Sequence, residues 1–202
     1  MKHRMFHTHQ PLILASSSPR RQQFLRRLGI AFKVITADID EIFHHGEPPD
    51  TFAQRMALAK AGAVARNNPG SWVIGADTVV TLRDGMILGK PVDENNAMVM
   101  LNLLNNTTHR VMTGMCLCRA DQKVEETLVE TTEVTFMDVP EEALRAYIQT
   151  GEPMDKAGAY GIQGLGSFMV RSINGSCTNV IGLPVSRLIS LLLDYKVIEP
   201  SH

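Results

Sequence analysis

One stretch, residues 12–28, limits the architectures open to this chain more than any other: it reads LILASSSPRRQQFLRRL. Leu12, Ile13, Leu14 and Ala15 make a short apolar run, the pattern of a strand buried on both faces. Three serines follow. Ser18 stands where a hydroxyl can cap a helix, and Pro19 suits a first turn because it has no N–H to leave unpaired. Arg20 and Arg21 then fall where backbone amides and the helix dipole already favour an anion. A strand, a small-residue turn, a helix N-terminus and paired guanidiniums together read as a phosphate grip. Two readings of the arginines stand side by side. In one, paired guanidiniums complete a phosphate site; in the other, an ordinary capped helix shows its arginines to solvent.

Size and charge narrow the classes. A chain of 202 residues suits one domain with a real core, and a net charge of -1 lacks the basic balance of a dedicated nucleic-acid binder. No apolar run reaches membrane-spanning length, and the first ten residues lack the apolar core of a signal peptide. Cys116, Cys118 and Cys177 form no ligand-spaced set, so they read as reduced thiols of a cytoplasmic protein.

Along the chain, residues 1–10 read as a polar, frayed tail carrying His3, His7 and His9. Gly29 ends the first helix, and residues 32–36 read as a second strand. Residues 37–50 form a loop rich in acid: Asp38, Asp40, Glu41, Glu47 and Asp50. Asp40 and Glu41 lie just after a strand end, where a carboxylate can hold a hard cation such as Mg²⁺. Asp50 suits the N-cap of a helix to Asn67, with Phe52, Met56, Ala59 and Ala63 as its apolar stripe and Lys60 within it. Lys60 is a surface lysine or a second cation aimed at phosphate.

Residues 72–82, WVIGADTVVTL, form a strong strand interrupted by one acid, Asp77. A buried carboxylate without a partner is expensive, so Asp77 needs a cation, a metal or an opening to water. Asp84-Gly85 turns the chain back through residues 86–88, and Lys90 sits at the rigid corner Gly89-Lys90-Pro91. Asp93 caps a helix to Leu104 whose buried stripe is Ala97, Met100, Leu101 and Leu104. Residues 108–118 and 124–137 read as two strands, and Pro140 opens a helix through Ile148. Residues 152–166, EPMDKAGAYGIQGLG, hold too many glycines for regular structure. They also carry Asp155, Lys156 and Gln163, and an amide on such a loop can read a base edge through paired donor and acceptor. Residues 168–173 read as a strand, and Leu183-Pro184 starts a last helix to Asp194.

At this point the motifs resemble a known family. ASSSPRR at 15–21, DIDE at 38–41, GADTVV at 75–80, GKP at 89–91 and DKAGAYGIQG at 155–164 resemble, in this order and spacing, the Maf-type nucleoside triphosphate pyrophosphatases. The resemblance covers about residues 11–193. It implies an elongated, two-lobed α/β domain over 11–195 with a mixed, curved central sheet and a cleft, similar to the inosine triphosphate pyrophosphatases. Residues 1–10 become a flexible extension and 196–202 a tail.

The resemblance also implies a reaction: a nucleoside triphosphate and water give the monophosphate and pyrophosphate, with a divalent cation, Mg²⁺ or Mn²⁺. Pro19-Arg20-Arg21, Ala76-Asp77-Thr78 and Gly161-Ile162-Gln163 resemble the dTTP/UTP branch, whose alternative is a sibling branch acting on 7-methyl-GTP. Carried over by position, Asp77 is the catalytic proton acceptor, and Arg20, Thr78 and Gln163 set base preference. Ser16, Arg21, Glu41, Lys60, Lys90, Asp155 and Lys156 line the cleft, with Glu41 and Asp77 holding the metal. A homodimer is implied as well, with no stable nucleic-acid or membrane partner. A nucleotide-binding regulator of cell division without turnover is the rival reading. A P-loop enzyme is disfavoured because no GxxxxGK[ST] occurs, and an α/β-hydrolase because no GxSxG occurs.

Overall fold

The computed structural model describes residues 5–201. In chain order its elements are β1 (Phe6–Thr8), β2 (Leu12–Leu14), α1 (Pro19–Arg27), β3 (Lys33–Val34), α2 (Pro49–Asn67), β4 (Trp72–Thr81), β5 (Ile87–Leu88), α3 (Glu94–Leu104), β6 (Thr108–Arg119), β7 (Val124–Phe136), α4 (Glu141–Gln149), β8 (Val170–Asn174), α5 (Cys177–Ile181), α6 (Val185–Asp194) and β9 (Ile198–Pro200). Among the described residues these build a mixed central sheet in the order β3-β2-β4-β6-β7-β8, with β5 paired to β4, and a separate β1-β9 ladder. β2 runs parallel to β3 and β4, while β5 and β8 pair antiparallel with β4 and β7. The fold is therefore a mixed α/β domain with a mixed central sheet, as the resemblance implies.

The residues group into two compact units. The first holds the chain up to Asp77, Gly114–Val129 and the residues from Gly182 on; the second holds Thr78–Thr113 and Glu130–Ile181. β4, β6 and β7 each contribute residues to both. In the first unit Leu14, Trp72, Ile74, Leu117, Leu188 and Leu192 form a dry core. α2 lies directly on the sheet there because two glycines leave room. A Cβ on Gly75 would sit 2.2 Å from the Ala57 carbonyl oxygen, and one on Gly114 would sit 2.2 Å from that of Ala53. In the second unit Leu101, Leu104, Val111, Phe136, Leu144 and Met169 are buried together.

Several local expectations are corrected. Phe6–Thr8 is not frayed: it pairs antiparallel with Ile198–Pro200, and Phe6 is buried. Its partner lies at the far end of the chain, so no local pattern announces it; His3 lies outside the described residues. Only Lys33–Val34 of the expected second strand pairs. Ser18 occupies the α1 N-cap without a side-chain cap bond; instead its N–H donates to Ser16 Oγ at 3.3 Å. Pro48, not Asp50, precedes α2, and Asp50 stands in its first turn. The α2 stripe is rotated. Phe52 and Met56 are buried as expected, but Ala53, Ala57 and Ala61 face the sheet rather than Ala59 and Ala63. α5 and β9 were not foreseen, and β8 begins at Val170 because a short 3-10 turn takes Leu165–Met169. The α3 stripe of Ala97, Met100, Leu101 and Leu104 is buried as read, and the Asp93 carboxylate accepts from Asn96 N–H at 2.7 Å.

Candidate active site

In the first unit, five of the sequence-derived candidates meet. Ser16 leaves the end of β2, Arg21 the first turns of α1, Glu41 the acidic loop, Lys60 the sheet-facing side of α2 and Asp77 the middle of β4. Asp77 is only 7 % exposed. The Lys60 ammonium donates to Asp77 Oδ1 at 2.6 Å and to Glu41 Oε1 at 2.6 Å, so both carboxylates converge on one cation. Close seating of α2 on Gly75 is what lets Lys60 reach the strand.

Arg21 anchors the other side of this cluster. Its Nε donates to the Gly182 carbonyl at 2.7 Å, and its Nη1 to Ser16 Oγ at 3.0 Å and the Ala76 carbonyl at 2.9 Å. The guanidinium thus ties the serine turn to the residue preceding Asp77. Burial lowers its pKa from the usual arginine range, Asp77 pulls it back up, the neighbouring Arg20 charge lowers it again and Glu41 raises it. Arg20 itself is half-buried at the start of α1.

The electrostatics of Asp77 are those of an acid poised between two demands. Burial raises its pKa above the usual carboxylate value; Lys60, by charge and by hydrogen bond, and then Arg21 lower it; Glu41 raises it. Desolvation being the larger influence, this carboxylate holds a proton more readily than a solvated aspartate does.

The second unit carries Thr78, Lys90, Asp155, Lys156 and Gln163. The Gly89 carbonyl beside Lys90 accepts the Gly158 N–H at 3.0 Å, so the lysine corner is tied to the glycine-rich loop. A Cβ on Gly158 would sit 3.0 Å from Val80 Cγ1, so the loop packs directly on β4. Lys156 Nζ binds Asp155 Oδ1 at 2.6 Å and the Glu152 carbonyl at 2.5 Å. Lys90 and Gln163 are exposed. Thr78 Oγ1 lies 3.0 Å from Thr113 Oγ1.

Sequence reading missed the residue that organises this loop. The Glu152 carboxylate accepts from Leu165 N–H at 2.9 Å, Gly166 N–H at 3.1 Å and Tyr147 Oη at 3.0 Å. A Cβ on Gly164 would fall 2.4 Å from Glu152 Oε2, which is why the loop needs glycine there. The available signal was an acid at the mouth of a glycine-rich run, since exposed backbone amides need an acceptor.

The donors present suit a hard divalent cation. Glu41 and Asp77 already share one cationic group, and Mg²⁺ and Mn²⁺ take oxygen ligands and commonly use one or two carboxylates with substrate phosphates and water. Among the described residues no cluster of three or more His, Cys, Asp or Glu could enclose a metal alone. Glu41 and Asp77 are the described residues that could hold such an ion.

With this geometry in view, comparison with known proteins is informative. A family model described as "Maf-like protein" matches residues 11–195. A dTTP/UTP pyrophosphatase of Nitratidesulfovibrio vulgaris is 53% identical over 91% of this chain and 87% of its own length. One of Desulfotalea psychrophila is 48% identical over 96% of this chain and 100% of its own. Among solved structures, a HAM1 protein from Coxiella burnetii overlaps 65% of this chain and 75% of its own at a TM-score of 0.47 and 16% identity.

Proposed function

The chain belongs to the Maf-like protein family, and from that premise we propose that it hydrolyses dTTP and UTP to the nucleoside monophosphate and pyrophosphate. The substrate pair comes from the relatives' names. The chemical half rests on one observation, the convergence of buried Asp77 and exposed Glu41 on the one Lys60 ammonium.

Phosphoryl transfer needs positioning and charge neutralisation more than covalent chemistry. A triphosphate carries about four negative charges near neutral pH, and Arg20, Arg21, Lys60, Lys90 and Lys156 supply cations toward it. Ser16 holds the Arg21 guanidinium in place. Asp155 fixes the Lys156 ammonium. Water attacks the α-phosphorus, the bond to the α,β-bridging oxygen breaks, and pyrophosphate leaves. The Asp77 carboxylate takes the proton of that water, a role helped by a pKa raised toward working pH. A Mg²⁺ or Mn²⁺ ion held by Glu41 and Asp77 would offset phosphate charge and lower the pKa of water. Arg20, Thr78 and Gln163 read the base. We place the enzyme in the cytoplasm, on its three free thiols, and as a homodimer, on the family resemblance; sedimentation at micromolar concentration tests the dimer.

The deciding experiment is a panel of dTTP, UTP, CTP and 7-methyl-GTP with Mg²⁺ and with Mn²⁺, scored for pyrophosphate. Metal-dependent release is expected, fastest from dTTP and UTP. Faster release from 7-methyl-GTP would move the chain to the sibling branch. Nucleotide binding without release would replace the enzyme by a binding protein.

A further inference from the structure

Glu41 lies between β3 and α2, on a stretch without helix or strand, and its side chain is 53 % exposed. Keeping such a carboxylate at the Lys60 ammonium requires the loop behind it to be ordered, against the backbone entropy of each loose residue. The order comes from α2, the helix that carries Lys60. Arg55 Nε donates to Glu47 Oε1 at 2.6 Å, and Arg55 Nη2 donates to Glu47 Oε2 at 2.6 Å. The same Nη2 donates to the Ile42 carbonyl at 2.8 Å, one residue beyond Glu41. Glu47 closes the loop on itself: its Oε2 accepts the His44 N–H at 3.2 Å, and its own N–H donates to the His44 carbonyl at 3.0 Å. Phe43 stacks on Phe52 of α2, with ring centroids 3.6 Å apart and planes 14° apart. Phe52 is buried and lies about one turn before Arg55. Ile42, Phe43 and Glu47 are thereby tied to one helix. Hydrogen bonds from Arg55 hold the Glu47 carboxyl at about 2, so the pair is ionised throughout the neutral range.

We propose that Arg55 is a positioning residue: by clamping the loop to α2 it keeps the Glu41 carboxylate with Asp77 at one point, set for a divalent cation. The inference rests on the metal-dependent reading above. Arg55 acts through the loop, since its bonds go to the Ile42 carbonyl and the Glu47 carboxylate. The planar fork matters, because two N–H groups meet both oxygens of one carboxylate, which a lysine ammonium does not reproduce. Arg55 and Lys60 stand on one helix, roughly 7.5 Å apart along its axis at 1.5 Å per residue. A rigid element thus sets the distance between the anchor of the loop and the ammonium that Glu41 meets. With the loop released, its ordering would fall on the binding step, weakening the hold on the cation more than the chemistry that follows.

The test follows Mn²⁺ binding by electron paramagnetic resonance with α,β-methylene-UTP present, and UTP hydrolysis over a range of Mn²⁺, in wild type, Arg55→Gln, Arg55→Lys and Glu47→Gln. Arg55→Gln should weaken Mn²⁺ binding about 10- to 100-fold and raise the Mn²⁺ for half-maximal hydrolysis to match, with kcat at saturating Mn²⁺ nearly kept. Arg55→Lys, which keeps the charge and loses the fork, should be weakened as well. In a Glu41→Gln background Arg55→Gln should add nothing, because the carboxylate it holds is gone. A merely structural arginine would cost as much in both backgrounds and would lower kcat at every Mn²⁺ concentration. That result, or wild-type Mn²⁺ affinity in Arg55→Gln or Arg55→Lys, overturns the proposal. If the Arg55 variants do not fold, Glu47→Gln decides from the loop side: weakened Mn²⁺ binding upholds the clamp, and unchanged binding overturns it. If wild type releases no pyrophosphate from UTP, the dTTP/UTP reading falls, and the binding comparison alone decides the role of Arg55.

Discussion

The two halves of the candidate machinery are built from different materials. Around Asp77 the contacts are ionic: Lys60 joins two carboxylates, and Arg21 clamps the strand and the serine turn. Around Thr113, in the second unit, they are neutral: its hydroxyl meets the Thr78 hydroxyl and the Asn179 carbonyl, and the Asn179 amide donates to the Val111 carbonyl. Charge is the means for handling a triphosphate, whose oxygens are alike in every nucleotide. Directional neutral hydrogen bonds are the means for telling bases apart, because a base differs from another only in where it donates and accepts. The division also limits cost. Ionic groups lose much when buried, and Asp77 with its immediate partners bears that loss, whereas a neutral group costs less to bury where it is hydrogen-bonded.

Four measurements probe this division. The largest effect belongs to Asp77→Asn, expected to lower kcat about 100- to 10,000-fold while leaving the ratio of dTTP to CTP turnover alone. Its thermal midpoint should not fall, because burial already disfavours the charge being removed. Near-wild-type pyrophosphate release would end the acid's catalytic assignment. Next comes His109, buried in the neutral half, where its Nε2 meets Tyr160 Oη at 2.8 Å and burial lowers its pKa from 6.5 to about 4. An unfolded chain takes up this proton as pH falls through 6.5, the folded one only near 4. Stability is therefore lost across that window, by about 3 kcal/mol for the 2.5-unit difference. Urea unfolding at pH 7 and pH 4.5 should show a drop in wild type that His109→Gln reduces; equal drops would refute it.

Smaller still is Gly75→Ala. The added carbon meets the Ala57 carbonyl, so α2 must lift, at about 1–3 kcal/mol for overpacking. Turnover should fall with stability because Lys60 is carried away from Asp77, while selectivity holds. The smallest is Gln163→Ala, expected to shift the UTP-to-CTP ratio by roughly tenfold or less with kcat nearly kept. A fall in kcat without a change of ratio would erase the boundary between the two halves.

What could be read from residues alone follows the same line. Asp77 was legible because a lone acid in an apolar strand violates a strong rule, and Asp93 because a cap is local. α3 was phased correctly because its large apolar residues mark one face. α2 was not, since its alanines look alike on every side and the glycines that select a face lie on other strands. Thr113, Asn179 and Glu152 escaped notice for a related reason. Their partners include backbone atoms 13 to 68 residues away, and polar side chains in a strand or loop carry no period that points to such distant pairing. Arg21 was foreseen as an anion grip, yet three of its N–H bonds serve the protein's own serine and carbonyls.

A run with glycines at 158, 161, 164 and 166 would ordinarily behave as a hinge. With the Glu152 carboxylate gripping two of its amides and Tyr147 bracing it from α4, this one is closer to a bracket. Limited digestion by a broad-specificity protease should therefore spare it, and a ligand engaging Gln163 would meet a surface whose ordering entropy has already been spent during folding.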